Sequence, residues 1–414
     1  MPNLWRDRDF RMLWAGQTAS QFGAQASQVT LPLIAVVALG AGAGELGALR
    51  AVQQAPILLL SLLVGAWVDR RHTRNVMVLS DLGRALALGA LPAAWLIGAL
   101  EMPVLYAVAL LMGVLTVCFD VAYQASVVRL VARDRLAPAN SALEGSRSAA
   151  QIGGPAVGGS MVSVLSAPAA AAVSAALFAL SCLSIRAIRR PEWPPGHGER
   201  PGRVGRRIGE GVRLVLRDAT LRSVAIASAI FQFSFAALMT VYLLYLPRVL
   251  DLSGAAVGLV LAALGPGALV GSWLAAVLPG RRLRYGVVLV SAAVVADAVM
   301  LFVSAVPRAG AVTVVLLMAV NFVFGVSGQV VDVTVMAVRQ AITPVELQGR
   351  VVATMNFVGM GLTPLGSLLG GLVAAQWGLW ASMLLTAVAL ALSPLFMALS
   401  PLARLGKTLA MRDH

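Results

Sequence analysis

Gly65-Ala66-Trp67-Val68-Asp69-Arg70-Arg71-His72-Thr73-Arg74 is the stretch that decides the fold. An apolar run ends at a small residue, an acid follows four positions on, and a basic cluster comes at once. A second apolar run begins at Val76. This pattern predicts a tight turn between two membrane helices. Gly65 is expected to allow close backbone approach. Asp69 falls near its helix end, where Arg70, Arg71 and Arg74 can pair with it or with lipid phosphates.

The composition around this stretch agrees with a membrane reading. The chain is 59% hydrophobic and only 12% charged, with a mean hydropathy of +0.85, against roughly 25% charged residues in a soluble protein. Apolar runs of about 20 residues or more recur along its length, long enough to cross a bilayer as helices. Backbone polar groups in hydrocarbon must be satisfied within the segment, so the expected class is an all-α membrane protein. The net charge of +14 does not imply nucleic-acid binding, because the arginines fall in short loops rather than on one soluble basic face. Cys118 and Cys182 lie inside apolar runs, so neither a disulfide framework nor a metal site is expected. Trp5-Arg6-Asp7-Arg8-Asp9-Phe10-Arg11 reads as a charged interfacial lead-in rather than a cleavable signal.

Twelve spans are predicted, near 11–40, 46–68, 75–99, 103–129, 139–165, 167–187, 219–247, 255–279, 285–305, 309–338, 347–374 and 377–400. Of the 32 Lys and Arg, 27 fall at the termini or in and bordering the loops after even-numbered spans. Arg50, Arg248 and Arg308 lie on the opposite side, and Arg84 and Arg147 lie within spans. The positive-inside rule then places both termini in the cytoplasm. The longest polar stretch, 189–217, is rich in Pro, Gly and Arg and reads as a linker; its latter part has amphipathic spacing suited to a membrane surface. The expected organisation is a six-helix bundle over 1–188, a cytoplasmic linker over 189–218 and a second six-helix bundle over 219–414.

The halves look duplicated. Asp120 and Arg129 in the fourth span match Asp332 and Arg339 in the tenth. Gly154-Pro155-Ala156-Val157-Gly158-Gly159 matches Thr363-Pro364-Leu365-Gly366 with Gly370-Gly371. The offset stays close to 210 residues, as a repeated bundle requires. A second copy of the opening stretch, near Gly271 to Arg284, keeps its arginines but lacks the acid.

Gly65, Asp69, Arg70 and Arg74 resemble the loop signature of the major facilitator superfamily, and the resemblance extends over the whole chain. Phe10-Arg11-Met12-Leu13-Trp14, Phe119-Asp120-Val121-Ala122-Tyr123-Gln124 and Arg339-Gln340 through Gly349-Arg350 are similar to the drug- and siderophore-exporter branch, of the macrolide-efflux and enterobactin-exporter type. Ala150 with Gly154, Pro155, Gly158 and Gly159 is similar to the motif of proton-coupled antiporters. The resemblance implies two pseudo-symmetric six-helix bundles, alternating access in the bacterial cytoplasmic membrane, and export of small amphipathic molecules (drug, antibiotic or siderophore-like) by proton antiport. It implies a monomer with no cofactor. A lysophospholipid or other lipid transporter on the same fold is the alternative.

In that fold spans 1, 4, 7 and 10 line the substrate cavity. Gln17, Gln21, Gln25 and Gln28 share a face of the first span, either lining a cavity or bonding to other helices. Ser228, Gln232, Phe235, Met239 and Tyr242 share a face of the seventh, and Asn321 lies on the face of Asp332. Asp120 and Asp332 are candidates either for proton coupling or for a gate lock, the lock pairing Asp120 with Arg70 or Arg74 and Asp332 with the arginines of the loop after the eighth span; Arg339 and Arg350 belong to the same gate set. Asp297 is the acid deepest in its span, although that span is expected to be peripheral. Asp81 with Arg84, and Glu144 with Arg147, are spaced to neutralise each other on one helix face. A membrane enzyme is disfavoured because no histidine lies within a span, and a primary pump because no phosphate-binding glycine loop is present.

Overall fold

The computed structural model describes residues 4–68, 71–131, 135–190, 209, 211–279, 282–306, 310–344 and 347–408. Asp69, Arg70 and most of the expected linker lie outside them. The described residues are helical, without named strands.

The first half forms α1 (Arg8–Leu33), α2 (Ala43–Val68), α3 (Thr73–Leu96), α4 (Met102–Leu130), α5 (Leu136–Val164) and α6 (Ala167–Arg186). The second half opens with α7 (Ala219–Arg248), followed by α8 (Gly254–Ala262) and α9 (Leu264–Val277), α10 (Tyr285–Leu301) and α11 (Ala311–Ile342). It closes with α12 (Gln348–Gly361), α13 (Thr363–Trp377), α14 (Leu379–Leu390) and α15 (Leu392–Leu399). Helix thus occupies all twelve expected positions. Among the described residues nine of these spans have the length and apolar composition to cross a membrane; α1, α2 and α5 are helical at the other three expected positions.

Local chemistry explains the ends. Asp7 caps α1 by accepting from the amides of Asp9 and Phe10, and Asp218 does the same for α7 at Thr220 and Leu221. Three spans of the second half are broken, and each break precedes a proline. Pro266, Pro364 and Pro394 cannot donate to the carbonyl four residues back, and their rings crowd it. Those carbonyls belong to Ala262, Met360 and Leu390, at or next to the last residues of α8, α12 and α14. Beside the last break, Ser234 donates to the Ala389 carbonyl at 3.2 Å, one residue before the carbonyl that Pro394 leaves free, as expected near an interruption in a membrane helix.

By contact density the described residues form two units, one of 1–198 with 252–262 and one of 199–251 with 263–414. The helix pairings inside the first, α1 with α5 and α6, α2 with α4, and α3 with α4 and α6, recur inside the second. There α7 meets α12–α15, α9 meets α11, and α10 meets α11, α14 and α15. The duplication survives at atomic level. A Cβ on Gly158 would stand 2.6 Å from the Ala26 carbonyl oxygen, and one on Gly370 would stand 2.6 Å from that of Ala237. The two contacts are offset by about 210 residues, and both let helices approach at the backbone.

One boundary departs from the sequence expectation. Helix α8 precedes the first proline break and packs on α5 in the first unit. A Cβ on Gly159 would meet the Gly258 Cα at 2.7 Å, and one on Gly258 would meet the Pro155 carbonyl oxygen at 2.5 Å. Ser163 accepts from the Ala255 amide at 2.6 Å. At Gly65 a Cβ would meet nothing within 4 Å among the described residues.

Large apolar side chains cover the outside, among them Leu63, Leu86, Leu96, Ile97 and Leu399. Tryptophans gather near helix ends (Trp67, Trp95, Trp377, Trp380), the distribution of an interfacial belt.

Candidate functional site

Within the first unit the charged core is built on α3. Asp81 and Arg84 form a wholly buried ion pair. Arg84 also donates to the Ser20 hydroxyl at 3.1 Å, and that hydroxyl donates to Asp81 at 3.3 Å. The guanidinium lies 4.4 Å from the ring centres of both Phe119 and Phe178. One arginine therefore joins α1, α3, α4 and α6. The Glu144–Arg147 pair also forms, at 3.5 Å, but on an exposed face.

A second polar cluster stands where the first unit meets its linker. Asp9 accepts from the amides of Arg189 and Arg190 at 3.0 and 3.1 Å. Arg190 reaches Asp7 at 3.2 Å and the Leu130 carbonyl at 2.7 Å. Arg74 donates to the Ile188 carbonyl at 2.6 Å. Sequence reasoning assigned Arg74 to the gate but missed Asp7, Asp9 and Arg190; the charged lead-in was the signal for the two acids and the basic linker the signal for Arg190. Asp120 lies on an exposed face of α4. Of its two partners in the expected lock, Arg70 falls outside the described residues and Arg74 is the arginine that donates to the Ile188 carbonyl.

The glutamines of α1 do not act as one stripe. Gln17 is buried with its carbonyl oxygen unpaired among the described residues, Gln21 and Gln25 are half-buried, and Gln28 is exposed. Gln28 lines a cavity of about 170 Å³ with Ser27, Arg50, Gln53 and Gln54. On α5 the antiporter-like glycines serve packing: Gly154 and Gly158 press on α1, and Gly159 presses on α8.

The larger cavity, about 570 Å³, lies wholly inside the second unit. Its wall includes Gln232 and Phe235 of α7, Asp297 of α10, and Asp332 and Arg339 of α11. Phe231, Phe235 and Phe324 stack along one side, with centroids 5.5 Å apart and planes within 9° of parallel. The structure therefore brings Asp297, Asp332, Arg339, Gln232 and Phe235 together. It does not bring Met239, Tyr242 and Asn321 to this wall. Those three are buried, and Asn321 donates to the Tyr242 hydroxyl at 2.7 Å. The spacing argument put them on the right face, but that face turns inward at their level.

Asp297 corrects the expectation of a peripheral ninth span. It is 2% exposed and lines the cavity, and both carboxylate oxygens lack a hydrogen-bond partner among the described residues. Asn356 and Met336 also line this cavity; sequence periodicity does not mark either of them. Arg350 is half-buried outside it.

The comparisons with known proteins agree on the fold. The family model described as the Major Facilitator Superfamily matches residues 13–363. A multidrug efflux pump named Tap from Mycolicibacterium fortuitum is 28% identical over 346 residues, covering 80% of each chain. The Tap pump of Mycobacterium tuberculosis (strain ATCC 25618 / H37Rv) is 28% identical over 415 residues, covering 94% of this chain and 92% of its own. Among solved structures, a bacterial homologue of the iron transporter ferroportin in an inward-facing state superposes with a TM-score of 0.75 at 16% identity. That match covers 94% of this chain and 98% of the other.

Proposed function

Because the chain belongs to the major facilitator superfamily, we propose that it is a secondary exporter of small amphipathic molecules, working by alternating access. The observation that carries this reading is the second unit's cavity, whose wall mixes stacked rings with glutamine, acids and an arginine. Such a lining suits a ligand with one apolar and one polar end. The similarity to efflux pumps over nearly the whole chain supports the outward direction.

In this reading both termini face the cytoplasm of a bacterial cell, and the six-helix bundles move as the two gates' rigid parts. The energy comes from proton antiport, with Asp120, Asp332 and Asp297 as candidate proton carriers. Asp69, Arg70, Arg74 and Asp120 hold the cytoplasmic side closed, with Asp332, Arg339 and Arg350 as their repeat-related counterparts. The protein works as a monomer.

Everted vesicles test this directly. They are challenged with cationic, neutral and anionic fluorescent dyes while a pH gradient is imposed and collapsed. Gradient-dependent uptake of any dye supports export. Its absence for every dye, with the protein inserted, removes the broad-substrate reading in favour of a dedicated lipid or natural product. Asp69→Asn takes one charge from the gate, which costs the closed state on the order of 1–2 kcal/mol and shifts its population about tenfold. Uptake is expected to fall accordingly at unchanged membrane insertion. Wild-type rates in Asp69→Asn would remove that residue from the gate.

A further inference from the structure

The buried acid on α10 makes no hydrogen bond among the described residues. Asp297 is 2% exposed, and neither carboxylate oxygen finds a partner among the described residues, although both helix neighbours and cavity are present to supply one. A carboxylate buried without compensation is costly in any protein interior and more so within a membrane. Such a group is retained where something else completes it. Asp297 opens on the same cavity as Asp332 of the adjoining α11. Arg339 lies seven residues, or about 10 Å along the helix, beyond Asp332. Two acids against one arginine give this wall a formal charge of −1.

The remaining lining narrows the ligand. Phe231, Phe235 and Phe324 offer stacked faces that attract a cation and accept a flat apolar ring. Met336, Met355, Met360 and Met397 surround the cavity with flexible, polarizable side chains that accommodate varied shapes. No group of three or more His, Cys, Asp or Glu side chains suited to a metal ion occurs among the described residues. At about 570 Å³ the space matches a drug-sized molecule rather than a bare ion.

We infer that this cavity is a binding site for a singly charged, aromatic organic cation, whose positive group completes Asp297 and Asp332 while its ring system lies against the phenylalanine stack. Its described lining residues all belong to the second unit. The inference deepens the export reading by naming a ligand class, and it rests on that reading only for the fate of the bound molecule.

The test is direct binding to the full chain in lipid nanodiscs, read by fluorescence anisotropy of ethidium and rhodamine 6G as cationic probes and Nile red as a neutral one. Losing a charge-assisted contact of about 1.5–3 kcal/mol corresponds to roughly a 10- to 150-fold weaker Kd. Asp297→Asn is expected to weaken both cationic probes by that factor and leave Nile red unchanged. Asp332→Asn, at an exposed position, serves the same purpose should Asp297→Asn fold poorly. The proposal is overturned if the wild type binds neither cation, if cation binding survives in the double variant, or if Nile red weakens in parallel. It is also overturned if Mn²⁺ displaces the dyes through the same acids. Binding and transport separate the two readings. Gradient-driven uptake with acid-independent cation binding removes this site and keeps export. Acid-dependent binding without any uptake keeps the site and removes export.

Discussion

Replacing Arg84 with methionine is expected to destabilise the protein by about 3–5 kcal/mol, the cost of leaving a buried charge without its partner. Asp81 would then be stranded at 0% exposure without its cation, held only by neutral donors such as the Ser20 hydroxyl. The double variant Asp81→Asn/Arg84→Met strands neither charge and is expected to regain most of the loss. Arg84→Lys separates charge from shape. It keeps the positive charge, but an ammonium cannot lie flat between the rings of Phe119 and Phe178 as a guanidinium does. Thermal unfolding followed by size-exclusion chromatography ranks the four proteins. The expected order is wild type, double variant, Arg84→Lys, Arg84→Met. Equal melting of the single and double variants would show that the pair does not hold the four helices together.

The second large effect is expected at Gly159. A side chain there meets backbone of α8, with the Gly258 Cα at 2.7 Å, and backbone cannot rotate aside as a side chain can. Overpacking of this kind costs about 1–3 kcal/mol or more. Gly159→Val is therefore expected to separate α5 from α8, lowering both the melting temperature and the folded yield. Gly145, on the same helix, provides the control. A Cβ there meets nothing within 4 Å, so Gly145→Ala is expected to be neutral or stabilising by up to about 1 kcal/mol. If both substitutions behave alike, the glycines of α5 act through flexibility and not through contact.

The helices were legible in the sequence because hydrophobic length is a local property. Every predicted span is occupied, and the Asp81–Arg84 spacing was enough to foresee the ion pair. What surrounds that pair was not legible. Ser20, Phe119 and Phe178 come from three other helices, and no local period connects them to residue 84. Asp297 shows the same limit from the other side. Its depth was visible in the sequence, but the cavity beside it is made by α7, α11 and α12 together. Prolines were ambiguous for a related reason. Pro32, Pro56, Pro92 and Pro155 lie inside helices that carry on past them, whereas Pro266, Pro364 and Pro394 sit just after breaks. Neighbouring helices decide which outcome a proline has.

The glycine contact between α5 and α8 has a consequence for biosynthesis. Gly258 is translated 99 residues after Gly159, a delay on the order of 5–20 s at roughly 5–20 residues per second. Through that interval the small-residue face of α5 waits in the bilayer for the helix that will cover it. The first unit is thus finished only after synthesis of the second has begun, and lipid or the insertion machinery must shield that face meanwhile.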